Sequence, residues 1–384
     1  MTSNQSICIV GPSKRFLSGI SYYTICLANA MSAERDVSVI CFRQLLPTFL
    51  FPGKSHVGKN ISDQNFLSTF PVFDGMDYNN PLTWVQAYRF LKMQKPNIIV
   101  LQWWTSSVAH MHLLLRLFSS FTNRPKIIIE FHEVVDPFEE SILPIRLYSK
   151  ITGKVLRKNL DAYITHSESD KQLVSERYAI DPEKIHVIPL GLFDQYGELL
   201  NEKEAKGILS ISEEFTILSF GLIRKYKGIP YLIRAFEQLP SEILEKSRLL
   251  IVGEVWEDRK ELLEQIKTSP LREKITLVDE YVSDEKVNVY FSAADVVVLP
   301  YLRASQSGIA HIAMSFGKPV VVSEVGGLKE SMAGYKGTFF VPPGDVESIR
   351  KAVLSQFGNR EHYEAPDQKW DRIINRYVEL IESI

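Results

Sequence analysis

The chain of 384 residues carries 44 Lys+Arg against 46 Asp+Glu, and 45% of it is hydrophobic. A net charge of -2 excludes a strongly basic nucleic-acid binder, ordinary apolar content excludes long disorder, and the length suits two domains. The charge is uneven: residues 1–193 hold 20 Lys+Arg and 16 Asp+Glu, the rest 24 and 30, so the basic half suits contact with an anionic surface.

Residues 7–10 (ICIV) read as a short buried strand feeding the loop from Gly11 to Gly19, then a helix through Tyr22, Tyr23, Ile25, Leu27 and Ala30. Glycines at both ends of this first βα loop suggest a ligand site, but GxGxxG is absent, which argues against a nicotinamide enzyme. Residues 37–40 form a second strand. Pro52-Gly53-Lys54-Ser55 imitates the end of a P-loop, yet Thr48 stands where the first glycine belongs and no helical pattern follows, so it is a decoy. Cys8, Cys26 and Cys41 lie in apolar contexts without a CxxC, as in a reduced cytoplasmic protein. No apolar run approaches the roughly 20 residues a bilayer requires and no secretory pattern opens the sequence, so a cytoplasmic location is expected.

Residues 97–101 and 126–131 are further buried strands, with an apolar helix over 108–121 between them. His132 falls just past the carboxyl end of the second, where a site residue would sit, although a lone histidine is more often structural. The helix over 144–159 carries Arg146, Lys150, Lys154, Arg157 and Lys158 with no acidic residue, and an apolar face of Ile145, Tyr148, Ile151, Val155 and Leu156. It either rests on anionic lipid at the inner face of the membrane or packs on the core with its basic face in water. Strands at 162–165 and 184–188 close this half, the turn 189–194 follows, and the charged, aperiodic stretch to Glu214 holds the domain junction.

The second half repeats the alternation: strands at 215–220, 249–252, 275–278, 296–299, 320–322 and 339–341, with helices between them and an amphipathic helix over 369–384. Short strands alternating with helices mean an α/β protein of two doubly wound parallel sheets, with a cleft between the two units. Two loops leave carboxyl ends of strands in the second unit. One, residues 221–228, bears Arg224, Lys225 and Lys227, three cations that repel one another unless solvated or neutralised by an anion. The other, Arg303-Ala304-Ser305-Gln306-Ser307-Gly308, runs into a helix N-terminus, where the N–H groups of Ser307, Gly308 and Ile309 would serve an anion. Together they suit a diphosphate.

At this point the chain resembles, end to end, a GT-B-fold retaining glycosyltransferase of the family 4 type (glycosyl transferases group 1). The resemblance is carried by the loop at Gly19, Phe131-His132-Glu133, Ile188-Pro189-Leu190-Gly191, the loop from Gly221 to Gly228, Ala313-Met314-Ser315-Phe316-Gly317-Lys318-Pro319-Val320-Val321, and Gly326-Gly327 with Glu330. It implies an acceptor-side Rossmann-like domain over 1–193, a donor domain over 194–365 and a tail helix, 366–384, packing back on the first. It implies transfer of a sugar from a nucleotide diphosphate sugar to a glycan or lipid-linked acceptor, in envelope polysaccharide or glycolipid synthesis. No metal or other cofactor is implied, and no Asp-x-Asp motif is present. The implied catalytic residues are His132, Arg224 and Lys227; the donor-binding residues are Gly19, Gly221, Tyr281, Ser305, Gln306, Ser307, Gly308 and Ile309. Two positions depart from the family pattern. Leu222 stands where an arginine usually follows the first glycine, and the paired glutamates fall on Ala304 and Ile312, making a Ser-Gln-Ser-Gly variant of that loop. The departure leaves open an inactive GT-B subunit that binds a nucleotide sugar or glycan, or a GT-B epimerase or phosphorylase.

Overall fold

In the computed structural model, which describes residues 5–14, 19–45, 64–121, 123–135 and 143–384, the chain divides into two compact units. The first is Met1–Leu190 with Gln368–Ile384, the second Gly191–Asp367. The decoy at Pro52-Gly53-Lys54-Ser55 and residues 15–18 of the first glycine loop lie outside the described residues.

The first unit holds strands β1 (Ile7–Pro12), β2 (Val37–Gln44), β3 (Val72–Asp77), β4 (Ile98–Trp103), β5 (Lys126–Phe131), β6 (Ala162–Thr165) and β7 (Ile185–Val187). All run parallel, in the order β3-β2-β1-β4-β5-β6-β7. Alternate residues face opposite sides, and both sides are apolar. Cys8, Val10, Ile40, Ile99, Leu101, Ile127 and Ile129 join one core, and Ile7, Ile9, Val39, Val100 and Ile128 the other. That is why these strands read as continuous apolar runs. β3 is an edge strand of sequence Val-Phe-Asp-Gly-Met-Asp whose first four residues are half-buried or exposed, so it carries no such run and is additional to the strands expected.

Helices α1 (Gly19–Met31), α2 (Pro81–Gln94), α3 (Ala109–Ser119), α4 (Leu143–Arg157) and α5 (Glu168–Tyr178) connect the strands. Helix α2 was not expected either; Asn80 caps it by accepting the Leu82 N–H at 3.2 Å, and Pro81 occupies the first turn. Helix α4 differs from a core-packed amphipathic helix. Its buried positions are Ser149, Gly153, Leu156 and Arg157, the last stacked over the Tyr178 ring at 3.7 Å. Leu143, Leu147, Tyr148, Ile151 and Val155 are exposed, alongside Arg146, Lys150 and Lys154.

The second unit holds helix α6 (Glu202–Ile208) and strands β8 (Phe215–Phe220), β9 (Ser247–Val252), β10 (Ile275–Val278), β11 (Val296–Leu299), β12 (Val320–Ser323) and β13 (Thr338–Val341). They are again all parallel, in the order β10-β9-β8-β11-β12-β13. Helices α7 (Ile229–Glu237), α8 (Ser241–Glu245), α9 (Arg259–Thr268), α10 (Asp284–Ala293), α11 (Gly308–Ser315), α12 (Gly326–Met332) and α13 (Val346–Ser355) complete it. The last helix, α14 (Trp370–Ser383), buries Ile373, Ile374, Tyr377, Leu380 and Ile381 beside α1 in the first unit.

Both units are therefore doubly wound Rossmann-like α/β sheets. Strand order reverses between β1 and β4 in one sheet and between β8 and β11 in the other. Loops leaving the carboxyl ends of such a central pair diverge, and ligands bind in the crevice they leave. Among the described residues no helix is long and apolar enough to cross a membrane.

Candidate functional site

In the second unit the two loops singled out from the sequence are the ones that flank the reversal point. β8 ends at Phe220, and Gly221 follows with φ +98°, its N–H donated to the Val252 carbonyl at 2.9 Å. A Cβ at Gly221 would come within 3.0 Å of the Ile309 side chain and 3.6 Å of Lys227 Nζ, so glycine lets the two loops approach. Gly228, at φ +67°, ends the single turn Lys225–Lys227, and a Cβ there would stand 2.0 Å from the Pro300 carbonyl oxygen. Tyr226 completes the closure by accepting the Leu302 N–H on its carbonyl at 2.7 Å.

Lys227 is buried. Its Nζ donates to Tyr301 Oη at 2.8 Å and lies 4.6 Å from the centre of that ring. Tyr301 Oη is 3.4 Å from Ser307 Oγ, and Ser307 caps α11 by accepting the Ala310 N–H at 3.3 Å. A cation, a phenol, a hydroxyl and a helix N-terminus thus form one chain across both loops. Burial lowers the Lys227 pKa and the Arg224 charge pushes the same way, Tyr226 opposing; burial raises the Tyr301 phenol. Among the described residues no carboxylate pairs with Lys227. A buried ammonium without a counter-charge is costly, and an anion arriving beside it removes that cost.

Arg224 has a carboxylate partner of its own. Its Nε donates to Glu257 Oε1 at 2.8 Å, and the Lys225 N–H donates to Glu257 Oε2 at 3.0 Å. Burial pulls the Glu257 pKa up, but the Lys225 N–H and the Arg224 guanidinium outweigh it and hold the carboxyl below its ordinary value. Arg224 therefore reaches the site already half-neutralised.

Gly308 and Ile309 open α11, where helix geometry leaves their N–H groups without intrahelical partners. The Phe193 ring packs on Gly308, 3.4 Å from where a Cβ would be, and the Phe193 carbonyl accepts Ser315 Oγ–H at 3.0 Å, which gives the turn over 189–194 a structural task. Ser305 is half-buried; the amide nitrogen and oxygen of Gln306 are both buried with no hydrogen-bond partner among the described residues. Ile312 is buried in α11, and the Ala304 carbonyl abuts Gly326, so neither position offers a polar side chain. Tyr281 follows β10, the edge strand, two places from β8, half-buried and with its phenol pKa raised by burial.

In the first unit His132 sits at the end of β5, its N–H donated to the Trp103 carbonyl at 2.8 Å. Its side chain is not alone. His166, the first residue past β6, brings Nε2 to 3.2 Å from His132 Nδ1, and Glu130 Oε2 stands 3.7 Å from His132 Nε2. Glu130 is fully buried and accepts from Tyr23 Oη at 2.6 Å, from Tyr377 Oη of α14, and from Gln102 Nε2 at 3.3 Å. Burial raises the Glu130 pKa to about 7 against those donors, and lowers His166 to about 4 and His132 well below its ordinary value. Glu130, His132 and His166 offer ligand atoms within 4.8 Å of one another, a spacing a metal ion could use. Gly19 opens α1 exposed, and among the described residues a Cβ there would meet nothing within 4 Å.

Sequence reasoning missed Tyr301, Glu257, Glu130, His166 and Tyr377. His166 had a signal: it follows β6 as His132 follows β5. Glu130 and Tyr377 had none, because each sits inside an apolar pattern that reads as core.

Comparison with known proteins follows the two units. The Glycosyltransferase Family 4 model matches residues 17–194, and the Glycosyl transferases group 1 model matches 214–359. An uncharacterized glycosyltransferase of Methanocaldococcus jannaschii is 31% identical over 237 residues, 56% of this chain and 58% of that protein. Mannosylfructose-phosphate synthase of Agrobacterium fabrum is 26% identical over 61% of this chain and 53% of its own length. The aligned stretches thus span less than two thirds of both relatives. Among solved structures, sucrose-phosphate synthase from Thermosynechococcus elongatus superposes with a TM-score of 0.73 at 19% identity, over 99% of this chain and 98% of that one. Anabaena HepE in complex with UDP-glucose gives 0.73 at 15% identity, over 99% and 100%. With two glycosyltransferase domain models in tandem on two GT-B sheets, the chain belongs to the GT-B glycosyltransferases.

Proposed function

We propose that this chain transfers a hexose from a nucleotide diphosphate sugar to an acceptor hydroxyl with retention of anomeric configuration, in the synthesis of a cell-envelope polysaccharide or glycolipid. The observation that carries the reading is the buried Lys227 ammonium, linked through Tyr301 to Ser307 and the start of α11 and paired with no carboxylate among the described residues. As the bond from the sugar C1 to the diphosphate breaks, negative charge grows on the leaving oxygen. Lys227 and the Gly308 and Ile309 N–H groups stabilise it without reorganising. Arg224 adds its remaining guanidinium hydrogens. The acceptor oxygen bonds to C1 and its proton passes to the leaving diphosphate, so this reading assigns no metal or other cofactor to the step. Gln306 and Ser305 supply neutral hydrogen bonds to sugar hydroxyls in place of the missing carboxylates at Ala304 and Ile312. Tyr281 and Gly221 complete the donor side; His132 and the loop at Gly19 serve the sugar and the acceptor. That the UDP-glucose complex of a structurally similar protein exists supports the donor class.

The lipid side of the reading rests on α4. Five apolar side chains stand exposed on a helix whose charged residues, Arg146, Lys150, Lys154 and Arg157, are all basic. That is the composition of a helix lying on an anionic bilayer surface, where it would bring a lipid-linked acceptor within reach from the cytoplasmic side.

The decisive experiment is calorimetric titration with UDP- and GDP-sugars, followed by an assay of nucleotide diphosphate release from whichever binds. Binding with release that Lys227→Ala abolishes supports transfer. Binding without release across a broad acceptor panel favours the second reading, an inactive subunit that binds a nucleotide sugar or glycan, which Ala304 and Ile312 motivate. No binding to any nucleotide sugar ends both.

A further inference from the structure

The partners of His166 Nδ1 and His132 Nδ1 decide where the two buried rings carry their protons. The Ile188 carbonyl can only accept, so His166 Nδ1, 2.8 Å from it, carries the ring hydrogen. Burial keeps His166 neutral, so its Nε2 is a lone pair. That lone pair faces His132 Nδ1 at 3.2 Å, and the contact is a hydrogen bond only if His132 Nδ1 is protonated. His132 is itself held neutral by burial and by His166. Its Nε2 is therefore a bare lone pair, buried and without a hydrogen-bond partner among the described residues. Glu130, 3.7 Å away, is occupied by Tyr23 from α1, Tyr377 from α14 and Gln102 from β4. The Gln102 amide is oriented in turn by Thr24, whose Oγ1 donates to its oxygen at 2.5 Å.

We propose that His166 is a positioning residue that holds His132 as its Nδ1–H tautomer, with Nε2 presented as an acceptor for a substrate hydroxyl. An unmet buried acceptor costs stability in the free protein, and a ligand hydroxyl restores the missing bond. The substrate half rests on the transferase reading given above; the tautomer half does not.

Long-range proton–nitrogen spectra of the full chain, labelled with 15N-histidine, read the tautomer directly. Both rings should show the neutral Nδ1–H form from about pH 5.5 to 8. His166→Leu removes the acceptor and should give a mixture of forms at His132, whereas His166→Gln, whose amide oxygen can accept, should restore one form. Glu130→Gln places an amide N–H opposite Nε2 and should shift that nitrogen's signal; it also serves if His166→Leu does not fold. With UDP-glucose as probe and UDP release as readout, His166→Leu should lower kcat about tenfold or more with KM within about twofold, and His166→Gln should recover most of it. His132 found as Nε2–H or cationic, or unchanged in His166→Leu, overturns the proposal. So does zinc(II) displacing the Nδ1 proton, which would make the three residues a metal centre. If the unsubstituted chain releases no UDP, the transferase reading and the substrate half fall, while the spectra still decide the tautomer.

Discussion

Lys227 Nζ lies 2.8 Å from Tyr301 Oη, and through that contact the loop after β8 is joined to the loop after β11. Neither residue is free to leave: Gly228 is pressed on the Pro300 carbonyl and Tyr301 is buried. The cation is therefore fixed before any ligand arrives. Lys227→Ala should lower turnover by about 10²-fold or more, the scale for loss of one stabiliser of developing charge. Tyr301→Phe keeps the ring under the ammonium and removes only the hydrogen bond, so its loss should be about tenfold or less. Nucleotide diphosphate release at saturating donor measures both, and a Lys227→Ala variant with undiminished turnover removes Lys227 from the mechanism.

Arg224 should matter less than Lys227, contrary to what two cations in one loop suggest. Its side chain is 33% exposed and its Nε is committed to Glu257. Arg224→Ala should weaken UDP binding about three- to tenfold, within the range for a partly exposed charge-assisted contact. Glu257→Gln, which releases the guanidinium, should leave binding unchanged or tighten it. Calorimetric titration with UDP gives both values. Weaker binding in Glu257→Gln would mean that orientation by the carboxylate outweighs the charge it removes.

How far the site was legible follows from what kind of residue carries it. Strands such as residues 296–299 are buried on both faces and announce themselves as apolar runs, and Gly221, Gly228 and Pro300 punctuate the loops between them. β3 did not, because an edge strand with one half-exposed face needs no such run. Tyr301 follows the strand with no local signal, and its role exists only because the reversal of strand order sets β11 beside β8. Glu130 lies within the apolar run of β5, and what makes it tolerable there are donors from positions 23, 102 and 377. Such long-range partners leave no local pattern.

Glu130 should also shape stability against pH. Its pKa is raised from 4.5 to about 7, so the folded protein holds the proton more tightly than the unfolded chain. The stability this contributes is fully present below about pH 4.5 and is lost as pH rises through 7, by roughly 3 kcal/mol at most. His166 works the other way: its pKa is depressed to about 4, so its contribution is present above about 6.5 and lost as pH falls through 4. Comparing urea unfolding of the wild type and Glu130→Gln at about pH 5 and pH 8 cancels the histidine part. The substituted protein should lose less stability between the two. Equal losses would mean that Tyr23, Tyr377 and Gln102 stabilise the carboxylate fully.

The Gly221→Ala variant tests whether the closeness of the two loops is needed. The residue would occupy φ +98° and place a methyl 3.0 Å from Ile309 and 3.6 Å from Lys227 Nζ. A strained left-handed residue costs about 1–3 kcal/mol, so thermal unfolding should fall by several degrees. Loss of UDP binding beyond that expected from the unfolded fraction would show that the methyl blocks the anion as well.

Helix α4 poses the last test. Burying Leu147 and Ile151, 55% and 54% exposed, in an interfacial layer should contribute on the order of 1–2 kcal/mol each, and Lys150 and Lys154 about 1 kcal/mol each near anionic headgroups. Neither term holds a protein on a membrane alone, which is why both kinds of residue are needed. Co-sedimentation with vesicles of anionic lipid should therefore fail for Leu147→Glu/Ile151→Glu and weaken for Lys150→Ala/Lys154→Ala, and it should weaken for the wild type at high salt. Vesicles of purely zwitterionic lipid should bind poorly. All of these side chains point away from the Ser149, Gly153 and Arg157 face that holds α4 to the unit, so the variants should unfold at the wild-type temperature. Undiminished binding by both double variants would place the membrane contact elsewhere, and no binding by the wild type would leave the exposed leucines and isoleucine facing some other apolar partner.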